Sequence, residues 1–355
     1  KQLSNADERP YGDIYDDYDD WEDDEEELDL SKVKLKNPMS SPISIYNYLK
    51  HKIYNQDEAI KQAAILAWKH YSGITPSVNI FTGPSGCGKT EIFRALQVLY
   101  PDIHIIDFAG ATRSGWSGNI HVSTVLSRIA FAKSKSKKCI VVLDEADKVF
   151  QSELACGKDN PVIGVQQELL GVISPSQNII LVQRQDEIQE LDLSKITWVF
   201  CGSWGATSET IAREASSSGL GFVNERKDIK MTEKTQLTLE DLIKAGMSIE
   251  LASRIDKITC LNAFSEDNFI SILSDVNTTP LKSLETSYRL PEHFIEENII
   301  SHEELVNMAK KAYKDGLGVR HLSNMIKSHL DQYIFNNFTT NETIQDIYNT
   351  EEYTC

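Results

Sequence analysis

The chain has 355 residues, 41% of them hydrophobic and 25% charged, and a formal net charge of −17. The length suits two domains of ordinary size, and the composition is that of a globular protein rather than a fibrous or low-complexity one. The charge is concentrated: residues 1–30 hold 14 acidic side chains against Lys1 and Arg9, a net of −12, which leaves 39 acidic and 34 basic residues, a net of −5, for the other 325.

A near-neutral body argues against an overall electrostatic grip on nucleic acid or anionic lipid. No run of 18 apolar residues suggests a membrane-spanning helix. No secretory signal is read at the start. The expected compartment is the cytoplasm, with an organelle matrix as the alternative, because the chain opens on Lys1 rather than Met and upstream sequence is expected. The six cysteines (Cys87, Cys139, Cys156, Cys201, Cys260 and Cys355) form no CxxC pair, which speaks against a zinc site or a disulfide framework. Several lie in apolar runs, which suits a reducing compartment.

Residues 1–37 read as an acidic disordered tail, rich in Asp and Glu and poor in aliphatics. Tyr11, Tyr15, Tyr18 and Trp21 make part of it an acidic-aromatic tract, either simply solvated or a docking peptide for a basic partner surface. Ile60, Ala63, Ala64, Ala67, Trp68 and Tyr71 recur at spacings of three and four, which predicts a helix from Asp57 to about Tyr71, stopped by Gly73. Short apolar runs follow at Val78–Phe81, Ile103–Asp107, Ile140–Asp144 and Thr197–Cys201, separated by helix-length segments. That alternation predicts an α/β fold with a parallel sheet buried on both faces.

Residues 207–238 are polar, with Gly and Ser around Ser216–Gly221, and read as a long loop. From Thr238 onward the pattern is helical, with no strand signal before about residue 280, and two helices flank Gly316–Gly318. The expected organisation is a larger α/β domain over 38–235, including the loop 207–235, then a small, mainly helical domain over 236–345 and a tail over 346–355.

Gly83, Pro84, Ser85, Gly86, Cys87, Gly88, Lys89 and Thr90 fit G-x-x-x-x-G-K-[ST] in full, after a predicted strand and before a predicted helix at Glu91–Tyr100. Glycines let backbone N–H groups curl around a phosphate, and the helix N-terminus adds its positive end. Lys89 is expected to reach the β/γ-phosphates and Thr90 to hold Mg²⁺. A second apolar strand, Cys139–Leu143, ends in Asp144 and Glu145. A carboxylate at the C-terminal edge of a parallel sheet faces the ligand crevice. Asp144 is expected in the Mg²⁺ shell and Glu145 as the group that polarises attacking water, so ATP hydrolysis is expected rather than binding alone.

With these motifs in place the chain resembles the AAA+ unfoldases of the ClpX type, from about residue 43 to 337, which implies a phosphate-loop α/β domain followed by a helical lid. Ile53, Tyr54 and Gln56 match the family's adenine-pocket segment, with Asn55 in the place of a glycine; Asn tolerates positive φ best among the other residues. The stretch Gly164–Ile173 resembles the segment after the family's second pore loop, which falls near Glu153–Pro161. Leu242–Ile258 resembles the segment bearing the arginine finger, here Arg254, given to a neighbouring subunit. Gly316–Leu322 resembles the sensor-2 segment, with its arginine at Arg320. The sensor-1 tip holds no Asn or Thr, and Ser203 stands there.

Gly115-Trp116-Ser117-Gly118 resembles the pore loop that grips polypeptide, with Trp116 in the aromatic position. The tract Gln183–Glu187 stands where the family has a basic entrance loop and is shorter and not strongly basic. Leu220, Gly221 and Phe222 resemble the tripeptide that docks a ClpP-like peptidase. The family's zinc-binding N-terminal domain is not matched in these residues, since no cysteine precedes Cys87; either it has been removed from upstream or the acidic tail replaces it as an adaptor or substrate contact. The resemblance implies a homo-hexameric ring, ATP with Mg²⁺, polypeptide substrates and a peptidase partner. A remodelling motor without a protease, a nucleic-acid-handling ATPase and a degenerate scaffold are the alternatives; the near-neutral body weighs against nucleic acid.

Overall fold

The structure, a computed structural model, describes residues 41–74, 76–114, 120–132, 138–150, 161–204, 237–275 and 279–337. The acidic tail, Trp116, most of the expected second pore loop, the loop around Leu220, Gly221 and Phe222, and the tail at 346–355 therefore lie outside the described residues. All described residues belong to one unit, Pro38–Cys355.

Two helices, α1 (Pro42–Lys50) and α2 (Asp57–Tyr71), precede strand β1 (Val78–Thr82). Acidic Asp57 and Glu58 open α2 and Lys69 lies in its last turn, matching the helix dipole at both ends. Then follow α3 (Lys89–Leu99), β2 (Ile103–Asp107), α4 (Val122–Ala130), β3 (Cys139–Asp144), α5 (Asp147–Phe150) and α6 (Pro161–Ile173). Strands β4 (Ile179–Arg184) and β5 (Glu187–Asp192) form an antiparallel hairpin, and β6 (Ile196–Gly202) returns to the main sheet. After it come α7 (Leu239–Lys244), α8 (Ile249–Ala252), β7 (Lys257–Cys260), α9 (Glu266–Ser271), α10 (Pro280–Tyr288), α11 (Phe294–Asn298), α12 (His302–Lys314) and α13 (Val319–Asn337). None of these helices is long and apolar enough to cross a membrane.

The main sheet has the order β2-β3-β6-β1-β7, and every pairing in it is parallel. Period-two alternation sends the residues of each central strand to opposite faces. Ile80, Val141, Leu143, Trp198 and Phe200 enter one core, against residues of α4, α5, α6, α7 and α8. Phe81, Ile140, Val142, Val199 and Cys201 enter the other, against α1, α2 and α3. Both faces are covered, so the strands read as unbroken apolar runs. Burying a side chain such as Ile92 or Leu96 of α3 contributes about 1.5–3 kcal/mol. A third core lies among α9–α13, with Tyr54 and Phe264 packed against it, and includes Phe269, Ile295, Leu305, Leu322 and Leu330.

Two features depart from the sequence reading. First, β7 is a strand of the main sheet, paired with β1 through Asn79–Lys257 and Ile80–Ile258, where only helices were expected before residue 280. It is a four-residue edge strand, half polar, so it gives no apolar run. Leu237, Leu242, Leu251 and Ile255 also pack into the sheet's core. Residues 237–261 therefore belong to the α/β part, and the separate helical core starts near Phe264 rather than at residue 236. Second, Gln183–Glu187 is the tip of the β4–β5 hairpin, with Gln185 at φ +56°. Its one cation is engaged: the Arg184 guanidinium lies 4.7 Å from the Phe131 ring centre.

Candidate nucleotide site

The phosphate loop leaves β1 and enters α3, the strand–loop–helix context the motif requires. Gly86 and Gly88 sit at φ +74° and +100°, where a side chain would be strained. Gly88 is the N-cap of α3 and offers no side chain there, which leaves the helix's first N–H groups directed at the loop. Lys89 Nζ donates to the carbonyls of Gly83 (2.6 Å) and Pro84 (2.7 Å), so the ammonium is held across the loop it belongs to.

Register carries the second motif to the same place. Strand β3 ends at Asp144, and Thr90 Oγ1 donates to Asp144 Oδ2 at 2.7 Å. The backbone N–H of Glu145 donates to Asp144 Oδ1, and Glu145 adopts φ +53° at the strand's end, exposed beside the loop. Two residues on, Asp147 is buried and accepts from Ser203 Oγ (2.9 Å) and the Trp204 N–H (3.3 Å). Ser203 thus spends its proton on Asp147 and fastens the end of β6 to α5.

These groups open onto a cleft of about 790 Å³ that residues from both the α/β part and the helical part line. Ser85, Gly86, Cys87, Gly88, Lys89 and Thr90 form its floor with Asp144 and Glu145 beside them. Ile53 and Tyr54 line it from the α1–α2 connection, and Arg320 and Ser203 reach it from α13 and β6. Tyr54 meets Phe264, whose ring centre is 6.1 Å away. The phosphate loop from Ser85 to Thr90 and the acidic pair Asp144 and Glu145 thus line one cleft, whereas Gly83 and Pro84, to whose carbonyls Lys89 is bonded, do not line it.

The profile of the AAA family, "ATPase family associated with various cellular activities", matches residues 79–198, from β1 to β6. The chain is also 24% identical over 318 residues to the ATP-dependent Clp protease ATP-binding subunit ClpX of Treponema denticola, covering 81% of this chain and 75% of that protein. The chain thus carries an AAA ATPase domain and is similar to ClpX over most of its length. The family implies a nucleotide held with a divalent metal. The residues present suit both: a glycine loop leading into a helix N-terminus for phosphate, and a hydroxyl and a carboxylate, Thr90 and Asp144, already side by side as hard oxygen donors.

Of the other expected residues, Gln56 and Arg254 do not line the cleft. Gln56 is 1% exposed, and its amide donates to the carbonyls of Cys87 (3.2 Å) and Asn262 (3.0 Å) and accepts from the Asn262 N–H (2.8 Å). It ties the phosphate loop to the connection between the two parts rather than touching the ligand space. Asn55 before it takes φ +51°, the turn that a glycine would otherwise supply. We predict that Gln56→Ala lowers stability by about 1–3 kcal/mol, by orphaning buried backbone groups. Thermal melting with and without nucleotide checks this; an unchanged melting temperature excludes the tie.

Arg254 is exposed, just beyond α8.

Two groups at the site escaped sequence reading. Asp147 lies in the acidic motif itself, and only its burial reveals its role. Gly318 abuts Gly86: a Cβ on either residue would lie 2.8 Å from the other's Cα. The Gly316–Gly318 turn that opens α13 therefore rests directly on the phosphate loop. The paired glycines were the available signal, but their partner is 232 positions away, beyond any local pattern.

Proposed function

We propose that this ATPase uses ATP with Mg²⁺ to pull polypeptides through the pore of a homo-hexameric ring and delivers them to a ClpP-like peptidase. The observation that carries this reading is the division of the arginines. Arg320 lines the cleft from the helical part, whereas Arg254 is exposed and does not line it. An exposed arginine outside its own subunit's cleft is placed to serve a neighbour's, while Arg94 and Arg320 line the cleft from within.

The roles follow from position. Thr90 and Asp144 would hold the metal, which when bound would neutralise charge on the transferring phosphoryl group. Lys89 exchanges the Gly83 and Pro84 carbonyls for phosphate oxygens. Glu145 orients water and takes its proton. Ile53 and Tyr54 flank the base. Arg320, carried by α13, links nucleotide state to the setting of the helical part.

Trp116, proposed as the gripping aromatic, gives the direct test. Trp116→Ala is expected to hydrolyse ATP within about twofold of the parent while losing about tenfold or more in unfolding of a tagged fluorescent reporter. Unfolding at the parent rate removes Trp116 from that role. The same reporter with peptidase added, and with residues 216–224 deleted, separates delivery from remodelling: if the deletion leaves degradation intact, Leu220, Gly221 and Phe222 are not the docking peptide.

A further inference from the structure

Helix α6 touches two remote parts of the machine with side chains two positions apart. Residues two apart on a helix point to opposite flanks, whereas residues four apart share one. Val165, Leu169 and Val172 seat α6 in the sheet's core. On one flank, Glu168 accepts from the Ser114 N–H (2.9 Å, Oε1) and the Ser114 hydroxyl (3.1 Å, Oε2). Gly164, four residues back on that flank, leaves room for the Arg113 stem; a Cβ there would lie 2.4 Å from Arg113 Cδ and 3.0 Å from its Cβ. Arg113 and Ser114 directly precede residues 115–119, and Thr112 closes the base of that segment by donating its N–H to Ile120 O at 3.0 Å.

On the other flank, Gln166 is 5% exposed and uses both ends of its amide. It donates to Gly246 O (2.8 Å) and accepts from the Ser248 N–H (2.7 Å). Ser248 is the N-cap of α8, the short helix that ends just before Arg254. One helix seated on the sheet's core therefore grips the base of the segment bearing Trp116 and the mount of Arg254.

We propose that α6 is the mechanical link between polypeptide engagement and hydrolysis, with Glu168 and Gln166 as the positioning residues on its two flanks. The functional half rests on the translocase reading above; the structural half does not. A pull on the segment after Ser114 is passed through the charged Glu168 acceptor to a helix that cannot shift without moving Gly246 and Ser248. Neither Glu168 nor Gln166 lines the nucleotide cleft.

The test uses the full chain, with a permanently unfolded carboxymethylated lactalbumin as the polypeptide probe. Glu168→Ala is expected to keep basal hydrolysis within about twofold and to lose most of its stimulation by the probe, about tenfold. Amide hydrogen exchange should quicken about tenfold at residues 111–114 in Glu168→Ala and at residues 246–252 in Gln166→Ala. Gly164→Ala raises helix propensity yet displaces Arg113, so loss of stimulation there comes from misplacement and not from unfolding of α6. Glu168→Gln, which keeps an acceptor for the Ser114 N–H, should recover part of the stimulation.

Unchanged exchange at either end overturns the link, and so does quickened exchange with full stimulation. If exchange quickens as expected but the parent's hydrolysis does not respond to the probe, the positioning assignment stands and the polypeptide-pulling reading falls.

Discussion

Glu145→Gln is expected to lower ATP turnover by about 10²–10⁴-fold while nucleotide affinity changes by less than about threefold. The expectation rests on how the acidic pair is divided. Asp144 is committed to Thr90 through one oxygen and receives the Glu145 N–H on the other. Glu145 itself turns out of the strand at φ +53° and stands exposed at the cleft. A non-glycine residue held at positive φ costs of order 1 kcal/mol or more and persists where its surroundings fix it. Here it sets Glu145 in the lining of the cleft beside the phosphate loop.

Gln keeps the side chain's size and its hydrogen-bonding reach but cannot accept a proton. Binding, which the loop backbone and Lys89 provide, should survive. Phosphate release gives the turnover and a fluorescent nucleotide gives the affinity. Turnover within fivefold of the parent would remove Glu145 as the base. The buried Asp147 is a different case: it fastens Ser203 and Trp204, so its substitution would disturb the fold of the site along with its chemistry.

The catalytic face was legible because its signals are local. A strand, a glycine loop and a helix follow one another within Val78–Leu99, and β3 ends in its acidic pair without interruption. Both faces of β1, β3 and β6 are buried, so these strands announce themselves as apolar runs. Strand β7 did not, because an edge strand of four residues with Lys257 and Thr259 in it carries little hydrophobic signal. What it contributes comes from distant partners: Asp256 beside it accepts from the Val78 N–H at 2.6 Å and donates its own N–H to Val78 O. The role of Gln56 was hidden for the same reason. Its three hydrogen bonds join residues 31 and 206 positions away, and a buried glutamine has the same letter as an exposed one. Local pattern located the phosphate site, whereas the ties that hold its walls together are set by topology.

Arg254→Ala is expected to cost about 10³–10⁵ in turnover with nucleotide binding nearly unchanged, the scale on which a finger arginine acts. The mount is rigid for a residue so exposed. The Arg254 N–H donates to Leu251 O at 3.0 Å, Leu251 and Ala252 are buried in the sheet's core, and Asp256 pins the chain to β1 two residues later. The side chain is thus presented outward from a fixed base and not toward the cleft of its own subunit.

A subunit mixture tells a finger given to a neighbour from one that acts within its own chain. In a mixture with Glu145→Gln, each variant supplies what the other lacks. Where an Arg254→Ala subunit, which keeps Glu145, borders a Glu145→Gln subunit, which keeps Arg254, one complete site forms. With random assembly of equal amounts and independent sites, that arrangement occupies roughly a quarter of the interfaces, so turnover should recover to roughly a quarter of the parent's. A finger acting within its own subunit predicts no recovery at any ratio, because no single chain then holds both groups. Recovery that follows the mixing ratio would place Arg254 across the interface, at the far end of the chain of contacts that runs from Ser114 through α6 to Ser248.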